Sequence, residues 1–136
     1  MSSKKRVMIC VTQQKSCERL IERGSDLVKS KKDELHVVHV VKENWKYFGQ
    51  LKEADALEYL FEVSKTHNAS LSVIKAADIE ETLKKFADKN KIDIIVMGES
   101  NEKDSQQNMI NRLQSKTEKN IRFDIVPTYD ELLKEA

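Results

Sequence analysis

The sequence carries no excess of charge of either sign, since 24 Lys and Arg residues against 23 Asp and Glu residues leave a formal net charge of +1. Proteins that bind the phosphate backbone of nucleic acids usually carry a clear basic excess, so we do not expect nucleic-acid binding. Long apolar runs are also missing, because no segment approaches the ~20 apolar residues that a membrane-spanning helix needs. The polar start, residues 1–6, leads into a predicted strand rather than into the apolar core of a signal peptide. We therefore expect a cytoplasmic protein without membrane insertion.

Cysteine is scarce as well, with Cys10 in an apolar run and Cys17 near a predicted helix start. Their spacing fits neither a metal-ligand pattern nor a disulfide framework. Structural roles are therefore favoured for both residues. A helix N-terminus can lower the pKa of a thiol, so a reactive Cys17 remains the alternative.

Known catalytic patterns are absent too. The sequence has no nucleophile elbow, no P-loop, no His-Glu metal motif and no evident carboxylate pair, so we do not expect an enzyme. A phosphorylated receiver domain would need acidic residues where Thr12 and Gln13 stand, and an aspartate where Ala76 and Ala77 stand. Flavodoxin-like FMN binding would use a hydroxyl-rich loop after the first strand, which Thr12 and Ser16 imitate only weakly.

What the sequence does contain is an alternation of apolar, β-rich runs with segments of helical periodicity from end to end. This pattern is typical of parallel βαβ units with helices on both faces of the sheet. It predicts one three-layer α/β domain over residues 1–136, with an open sheet of five parallel strands in the order 3-2-1-4-5. The predicted strands are residues 6–11, 34–41, 70–76, 92–97 and 121–126.

The connections between the strands carry recognisable helix signals. Ser16 is a plausible cap of the first helix, and Gly24 lies on its apolar stripe, where a missing side chain lets the helix approach the sheet closely. Asp78 opens a capping box with Glu81 at the start of the third helix. The apolar faces of the second and fourth helices are Leu57, Leu60, Phe61 and Ser64, and Met109, Ile110 and Leu113. A short terminal helix is predicted over residues 129–135.

Ligands of open parallel sheets bind beyond the carboxyl ends of the strands, at the point where the strand order reverses. In the predicted order that point lies between strands one and four, flanked by residues 11–16 and 97–101. Both segments are polar and could donate backbone N–H groups to an anion, although two ordinary solvated loops remain the alternative. The candidate ligand-binding residues are Thr12, Gln13, Ser16, His39, Val41, Met97, Gly98, Glu99, Ser100 and Asn101.

His36 and His39 are three residues apart on a predicted strand, so they point to opposite faces and cannot share a metal ion. For His39 we favour a hydrogen-bonded histidine at the sheet margin over a side chain that stacks on a ligand. Trp45, Tyr47 and Phe48 follow the second strand. A lid over the crevice, a patch for another protein and packing under the long crossover all remain open for these three aromatic residues.

Several runs resemble the universal stress protein family over nearly the whole chain. They are Ile-Val-Met-Gly-Glu-Ser at residues 95–100, Cys-Glu-Arg-Leu-Ile-Glu-Arg-Gly at residues 17–24, and the strand spacing. The resemblance implies an adenine-nucleotide-α-hydrolase-like fold and a non-enzymatic sensing or regulatory module. Val-Met-Ile-Cys-Val followed by Ser-Cys-Glu-Arg-Leu-Ile is most similar to the stress-protein domain of KdpD-type potassium-sensing histidine kinases. This finer resemblance implies osmotic or potassium signalling and a kinase partner; the alternative is a degenerate scaffold that binds a partner protein and no nucleotide.

ATP-binding relatives share a loop of glycine, two residues, glycine, nine residues, glycine, and Ser or Thr. Gly98 matches the first position and is expected to adopt positive φ, but Asn101, Asn111 and Arg112 replace the other three. The aspartate that many of these relatives have just beyond strand one is also missing, because the chain reads Thr12 there. The resemblance therefore disfavours ATP.

Some kinase-linked relatives are associated with cyclic di-AMP through paired serines and an aromatic-containing second strand, which Lys15, Cys17 and residues 35–39 replace here. An adenine nucleotide or cyclic di-AMP remains the candidate ligand, and no cofactor is certain. Relatives often dimerise through the fifth strand. An edge strand between Ile121 and Val126 would leave backbone groups open to a second copy, so a homodimer is expected there.

Overall fold

A computed structural model describes residues 4–11, 17–42, 51–100 and 102–127, without the side chains of residues 42 and 51–56. The predicted terminal helix at residues 129–135 lies outside these ranges. The strands are β1 (Arg6–Val11), β2 (Glu34–Lys42), β3 (Ser70–Ala76), β4 (Ile94–Gly98) and β5 (Arg122–Val126). The helices are α1 (Cys17–Leu27), α2 (Leu51–Thr66), α3 (Ile79–Lys89) and α4 (Lys103–Lys116).

The five strands form one sheet in the order β3-β2-β1-β4-β5, and each neighbouring pair is parallel, which confirms the predicted topology. Cys10 of the central strand pairs with Val38 on one side and with Met97 on the other. β4 begins two residues later than predicted, because Ile92 closes the turn after α3 and donates its N–H to the Ala87 carbonyl at 3.0 Å. Ile92 is buried without pairing in the ladder, so its hydrophobicity marks the core but not the strand.

Helices cover both faces of the sheet, and two apolar clusters result. The first cluster lies under α1 and α2, and the second lies under α3 and α4. Odd-numbered residues of β1 face the first cluster and even-numbered residues face the second, as the two-residue period of a strand requires. Val7, Met8 and Ile9 are fully buried, because β1 lies between β2 and β4 and helices cover both of its faces. No helix in the described ranges is long and apolar enough to cross a bilayer.

Gly24 is the point of closest approach between α1 and the sheet. An ideal Cβ on Gly24 would lie 2.4 Å from Cδ1 of Ile9, 2.8 Å from its Cγ1 and 3.1 Å from Cδ1 of Leu35. Real Cβ atoms do not come this close to other carbons. The predicted close approach of this helix is therefore confirmed.

The apolar face of α2 was predicted only in part. Leu60, Val63 and Ser64 are buried, and the Ser64 hydroxyl donates to the Leu60 carbonyl at 2.8 Å. Phe61 is 47% exposed, so its assignment to the buried face is wrong. Phe61 lies about 100° around the helix from Leu60, which turns it away from the sheet and toward the margin beyond β3.

The predicted cap of α3 and the predicted apolar face of α4 agree with the structure more closely than the predicted face of α2. Asp78 caps α3 by accepting a hydrogen bond from the Glu81 N–H at 3.1 Å, which is one of the two hydrogen bonds of the predicted capping box. In α4, Ile110 and Leu113 are buried and Met109 is half-buried against the second cluster. These contacts fix α4 at the β4 side of the sheet, where the loop that precedes it meets the predicted crevice.

Both cysteines are buried, and burial raises the pKa of each thiol, to about 12 for Cys10. The neighbouring Glu18 carboxylate also raises the pKa of Cys17, and both effects outweigh the backbone hydrogen bond that lowers it. The idea of a reactive Cys17 at the start of α1 is therefore wrong, because desolvation overrides the effect of the helix terminus.

We expect neither thiol to react with an aromatic disulfide reagent at pH 7 in the folded protein, because the thiolate is both disfavoured and inaccessible. Both should react once urea unfolds the chain. The Cys10→Ala variant isolates Cys17 for this measurement, and Cys17→Ser isolates Cys10. Labelling of Cys17 in the native protein at the rate of an exposed thiol would contradict the prediction.

Candidate functional site

The strand order reverses between β1 and β4, so the carboxyl ends of these strands diverge into connections on opposite faces of the sheet. We call the space beyond Val11 and Gly98, the last residues of β1 and β4, the switch-point crevice. Thr12, Gln13, Ser16 and Asn101 lie outside the described residues, as do Trp45, Tyr47 and Phe48. The described loop of the crevice is therefore the one that follows β4.

The connection from β4 to α4 is short, and we call residues 99–102 the β4–α4 loop. The Glu99 N–H donates to the Val126 carbonyl at 2.8 Å, which continues the β4–β5 ladder by one step. The Ser100 N–H donates to Oε1 of Gln106 at 3.1 Å, and Nε2 of the same Gln106 donates to the Gly98 carbonyl at 2.9 Å. The Glu102 N–H donates to Oγ of Ser100 at 3.1 Å. Every described N–H of this loop therefore already has an acceptor within the chain.

The charges around the loop are mainly negative. Glu99, Glu102 and Asp104 lie in the loop or the first turn of α4, while Lys103 is the basic residue among them. The ammonium of Lys103 lies 3.9 Å from the Glu99 carboxylate. Acidic residues suit the N-terminus of a helix, because they offset its positive partial charge, but for the same reason they repel a further anion. This end of the crevice is unfavourable for a polyanion.

Two of the residues aligned with the family's nucleotide loop do not belong to a loop at all. Asn111 and Arg112 lie inside α4, which begins at Lys103. The Arg112 guanidinium is paired with the Glu80 carboxylate of α3, with Nε 3.0 Å from Oε2. This pairing raises the pKa of Arg112 and lowers the pKa of Glu80. Arg112 thus joins α3 and α4 through its ion pair with Glu80.

Gly98 differs from its prediction in conformation. Its φ lies outside the left-handed region, and a Cβ placed on it would lie 3.7 Å from Cδ2 of Leu20, an ordinary van der Waals distance. Gly98 ends a regular strand, and its main chain is held by the ladder and by Gln106. The expectation that Gly98 needs positive φ is wrong, and a side chain there would not strain the turn.

Three further candidate residues lie near the carboxyl ends of β2 and β4 but on opposite faces of the sheet, since His39 and Val41 share the face of the first cluster and Met97 belongs to the second. His39, Val41 and Met97 are all buried, with 1% of His39 exposed. Nδ1 of His39 lies 2.7 Å from the Val11 carbonyl, and since a carbonyl only accepts, Nδ1 carries the proton of this hydrogen bond. The structure therefore places His39 as a hydrogen-bonded core residue and not as a surface on which a ligand could stack.

His36 faces the other side of the sheet, where its ring meets Phe86 edge-on at 5.6 Å and its Nε2 lies 3.0 Å from the Glu34 carboxylate. The prediction that the two histidines point to opposite faces is confirmed. Among the residues that the structure describes, no cluster of three His, Cys, Asp or Glu side chains could hold a metal ion.

The structure thus brings together Gly98, Glu99 and Ser100 at the crevice, whereas His39 and Met97 are buried on opposite faces of the sheet. Sequence reasoning missed Gln106, whose carboxamide organises the loop. No local signal marks this residue, because a glutamine in the first turns of an amphipathic helix usually faces solvent. Only the return of α4 over the end of β4 places it against the loop.

Comparison with known proteins agrees with this architecture. The profile of the universal stress protein family matches residues 4–115 of the chain. The fold is similar to that of a universal stress protein solved in complex with cAMP, with 16% identity and a TM-score of 0.62, covering 93% of this chain and 99% of that one. It is also similar to universal stress protein UspA from Lactobacillus plantarum, with 12% identity and a TM-score of 0.60, covering 92% and 99% of the two chains.

A third similar structure is a universal stress protein from Archaeoglobus fulgidus, with 12% identity, a TM-score of 0.61, and coverage of 89% and 92%. No curated protein sequence matches the chain significantly. At such low identities the structural likeness establishes the fold alone.

Proposed function

Because the chain belongs to the universal stress protein family, we propose that it is a non-enzymatic regulatory module that binds a small nucleotide-like ligand in its switch-point crevice. The observation that carries this proposal is the reversal of strand order between β1 and β4, with a polar loop directly beside it. Crevices of this kind are the usual ligand sites of open α/β sheets. A similar structure that contains cAMP lends further support.

The loop favours a ligand with one compact phosphate over a triphosphate. A triphosphate needs several free N–H donors and positive charge, whereas the N–H groups of Glu99, Ser100 and Glu102 are engaged within the chain. Loop residues 12–16 on the β1 side would supply the remaining contacts, as the sequence predicts. AMP and cAMP carry one phosphate and fit this chemistry, and cyclic di-AMP fits it through one of its two separate phosphodiester groups, whereas Mg-ATP does not fit.

We assign the module to osmotic or potassium signalling, with a sensor kinase of the KdpD type as its partner. Support for this assignment is the opening of β1 and α1, Val-Met-Ile-Cys-Val and Cys-Glu-Arg-Leu-Ile, which is similar to the stress-protein domain of those kinases. The direct test measures autophosphorylation of such a kinase with and without the purified chain. A rate that the chain does not change at any potassium concentration would refute the assignment.

A thermal-shift screen tests the ligand proposal. We expect AMP, cAMP or cyclic di-AMP to raise the melting temperature, since a ligand at 100 times its dissociation constant stabilises the fold by about 2.7 kcal/mol. Mg-ATP should give no comparable shift, because its β- and γ-phosphates would meet engaged donors and three carboxylates. FMN serves as the control for nonspecific nucleotide effects. A micromolar dissociation constant for Mg-ATP in calorimetry would contradict the prediction.

The engaged loop also supports a second function, a scaffold that binds a partner protein and no nucleotide. The described N–H groups of the β4–α4 loop already have acceptors within the chain, so this part of the crevice is complete without a ligand. The screen separates the two functions, because the scaffold should melt at the same temperature with every nucleotide. It should still form a complex with its partner kinase in sedimentation experiments.

We propose that the chain forms a homodimer through β5, which is an edge strand of the sheet. The Arg122 N–H donates to the Asp93 carbonyl on the β4 side, so by alternation the Ile125 N–H points away from β4 and toward an added strand. Light scattering at high micromolar concentration should give the dimer mass. Ile125→Pro should give the monomer mass, whereas Ile125→Ala, which keeps the N–H, should stay dimeric. A monomer mass for the native chain would refute the dimer.

A further inference from the structure

Gln106 makes an unusual pair of contacts for a side chain in the first turns of a surface helix. Its carboxamide accepts a hydrogen bond from the Ser100 N–H at 3.1 Å and donates one to the Gly98 carbonyl at 2.9 Å. The side chain therefore pairs with the end of β4 as a neighbouring strand would, although it belongs to α4. Its neighbour Gln107 is exposed, and its carboxamide donates within α4 to Oδ1 of Asn111 at 3.0 Å.

The partners of Gln106 determine its orientation. A backbone N–H can only donate and a backbone carbonyl can only accept, so the oxygen of the carboxamide must face Ser100 and its nitrogen must face Gly98. The reversed amide would place two donors together and two acceptors together. Neither glutamate nor a shorter side chain could make both hydrogen bonds from this position.

We propose that Gln106 is the specificity-determining residue of the switch-point crevice, because its carboxamide occupies the main-chain donor that a terminal phosphate would otherwise use. The Ser100 N–H lies next to the end of β4, where the strand order reverses, and it donates its hydrogen bond to the Gln106 side chain. The oxygen of the carboxamide takes the place of a phosphate oxygen. This inference deepens the proposed ligand site, and it rests on that proposal only for the identity of the favoured ligand.

Ser100 completes the closure of the loop. Its Oγ accepts from the Glu102 N–H at 3.1 Å, while its own N–H is held by Gln106. The Glu99 N–H is held by the Val126 carbonyl, which belongs to the sheet itself. The acceptor of the Ser100 N–H is the Gln106 side chain, so a single substitution at Gln106 removes it. The acceptors of the other two N–H groups are the backbone of β5 and the side chain of Ser100 itself.

Four proteins test the role of Gln106: the native chain, Gln106→Ala, Gln106→Glu and the control Gln107→Ala. The probe is inorganic pyrophosphate, titrated while amide signals are recorded by NMR. Gln106→Ala should bind pyrophosphate about tenfold more tightly than the native chain, the ratio expected when one engaged donor becomes available. The Ser100 amide signal should shift during this titration.

Gln106→Glu should not gain affinity, because its carboxylate keeps the Ser100 hydrogen bond and adds a negative charge. Gln107→Ala should behave like the native chain. Amide hydrogen exchange provides a reading that needs no ligand: Ser100 should exchange about tenfold faster in Gln106→Ala than in Gln107→Ala. An unprotected Ser100 amide in the native chain would overturn the inference even if no variant folds.

Equal pyrophosphate affinity of Gln106→Ala and the native chain would also overturn it. The experiment separates this failure from failure of the proposed function. If AMP or cAMP binds the native chain but Gln106→Ala gains no affinity for pyrophosphate, the proposed ligand site is supported and the proposed role of Gln106 is refuted. If no mononucleotide binds but Gln106→Ala gains affinity for pyrophosphate, the role of Gln106 is supported and the proposed ligand is refuted.

Discussion

Gly24→Ala should destabilise the protein by about 1–3 kcal/mol, although alanine is the better helix former, because the added methyl overpacks the contact between α1 and β1. Cβ would lie 2.4 Å from Cδ1 of Ile9, and Ile9 is fully buried and cannot move aside into solvent. The higher helix propensity of alanine relative to glycine offsets only about 1 kcal/mol of this loss in folding stability. Urea unfolding monitored by circular dichroism gives the free energy directly.

A double-mutant cycle identifies the atom responsible for this loss. Ile9→Val removes Cδ1 and should by itself cost about 0.5–1.5 kcal/mol. Combined with Gly24→Ala it should cost less than the sum of the two single effects, because the closest clash is gone. Asp26→Ala, an exposed substitution in the same helix, is the control and should change stability little. A Gly24→Ala protein as stable as the native chain would show that α1 can move away from the sheet.

His39→Ala should cost about 2–4 kcal/mol of folding stability, because it opens a cavity in the core and leaves the Val11 carbonyl without its donor. The ring is 1% exposed, and its Nδ1 lies 2.7 Å from that carbonyl. Val11 ends β1 at the crevice, so the loss affects the strand that forms one wall of the site. Equilibrium unfolding at pH 7 measures the effect.

His39→Leu divides this cost into its parts. Leucine fills most of the volume but offers no donor, so the difference between the native chain and His39→Leu reports the polar interactions of the ring. The difference between His39→Leu and His39→Ala reports the cavity. Val37→Ala, a buried position two residues earlier on the same face of β2, is the control for a cavity without a lost hydrogen bond. A His39→Ala protein that keeps native stability but loses ligand binding would return His39 to the role of a ligand contact.

The sheet, its strand order and the close approach at Gly24 were predictable from the amino-acid sequence. These features follow from local patterns, since a strand buried on both faces reads as a continuous apolar run and a glycine on an apolar helical stripe marks a close contact. The rule that parallel strands are joined by right-handed crossovers then leaves few possible orders. The cap at Asp78 was predictable for the same reason, because its hydrogen bond to Glu81 spans only one turn.

Strand limits and helix faces were less predictable, because hydrophobicity reports burial and not hydrogen bonding. Ile92 is buried outside β4, and Phe61 is exposed on α2 although it is apolar. The conformation of Gly98 was also inferred wrongly, since a glycine at a strand end can serve a turn or simply continue the ladder. Each of these outcomes depends on which element packs against the residue.

The hydrogen bonds of the crevice, in contrast, depend on contacts between elements that are distant in the sequence. Gln106 reaches the end of β4, Val126 accepts from Glu99, and Arg112 turns to Glu80 on another helix. None of these partners can be read from spacing, because each contact joins two elements whose relative position is set by the packing of both apolar clusters. A hydrogen-bond donor is open to a ligand only if no group of the folded chain reaches it first, and that competition is settled by geometry across the whole domain.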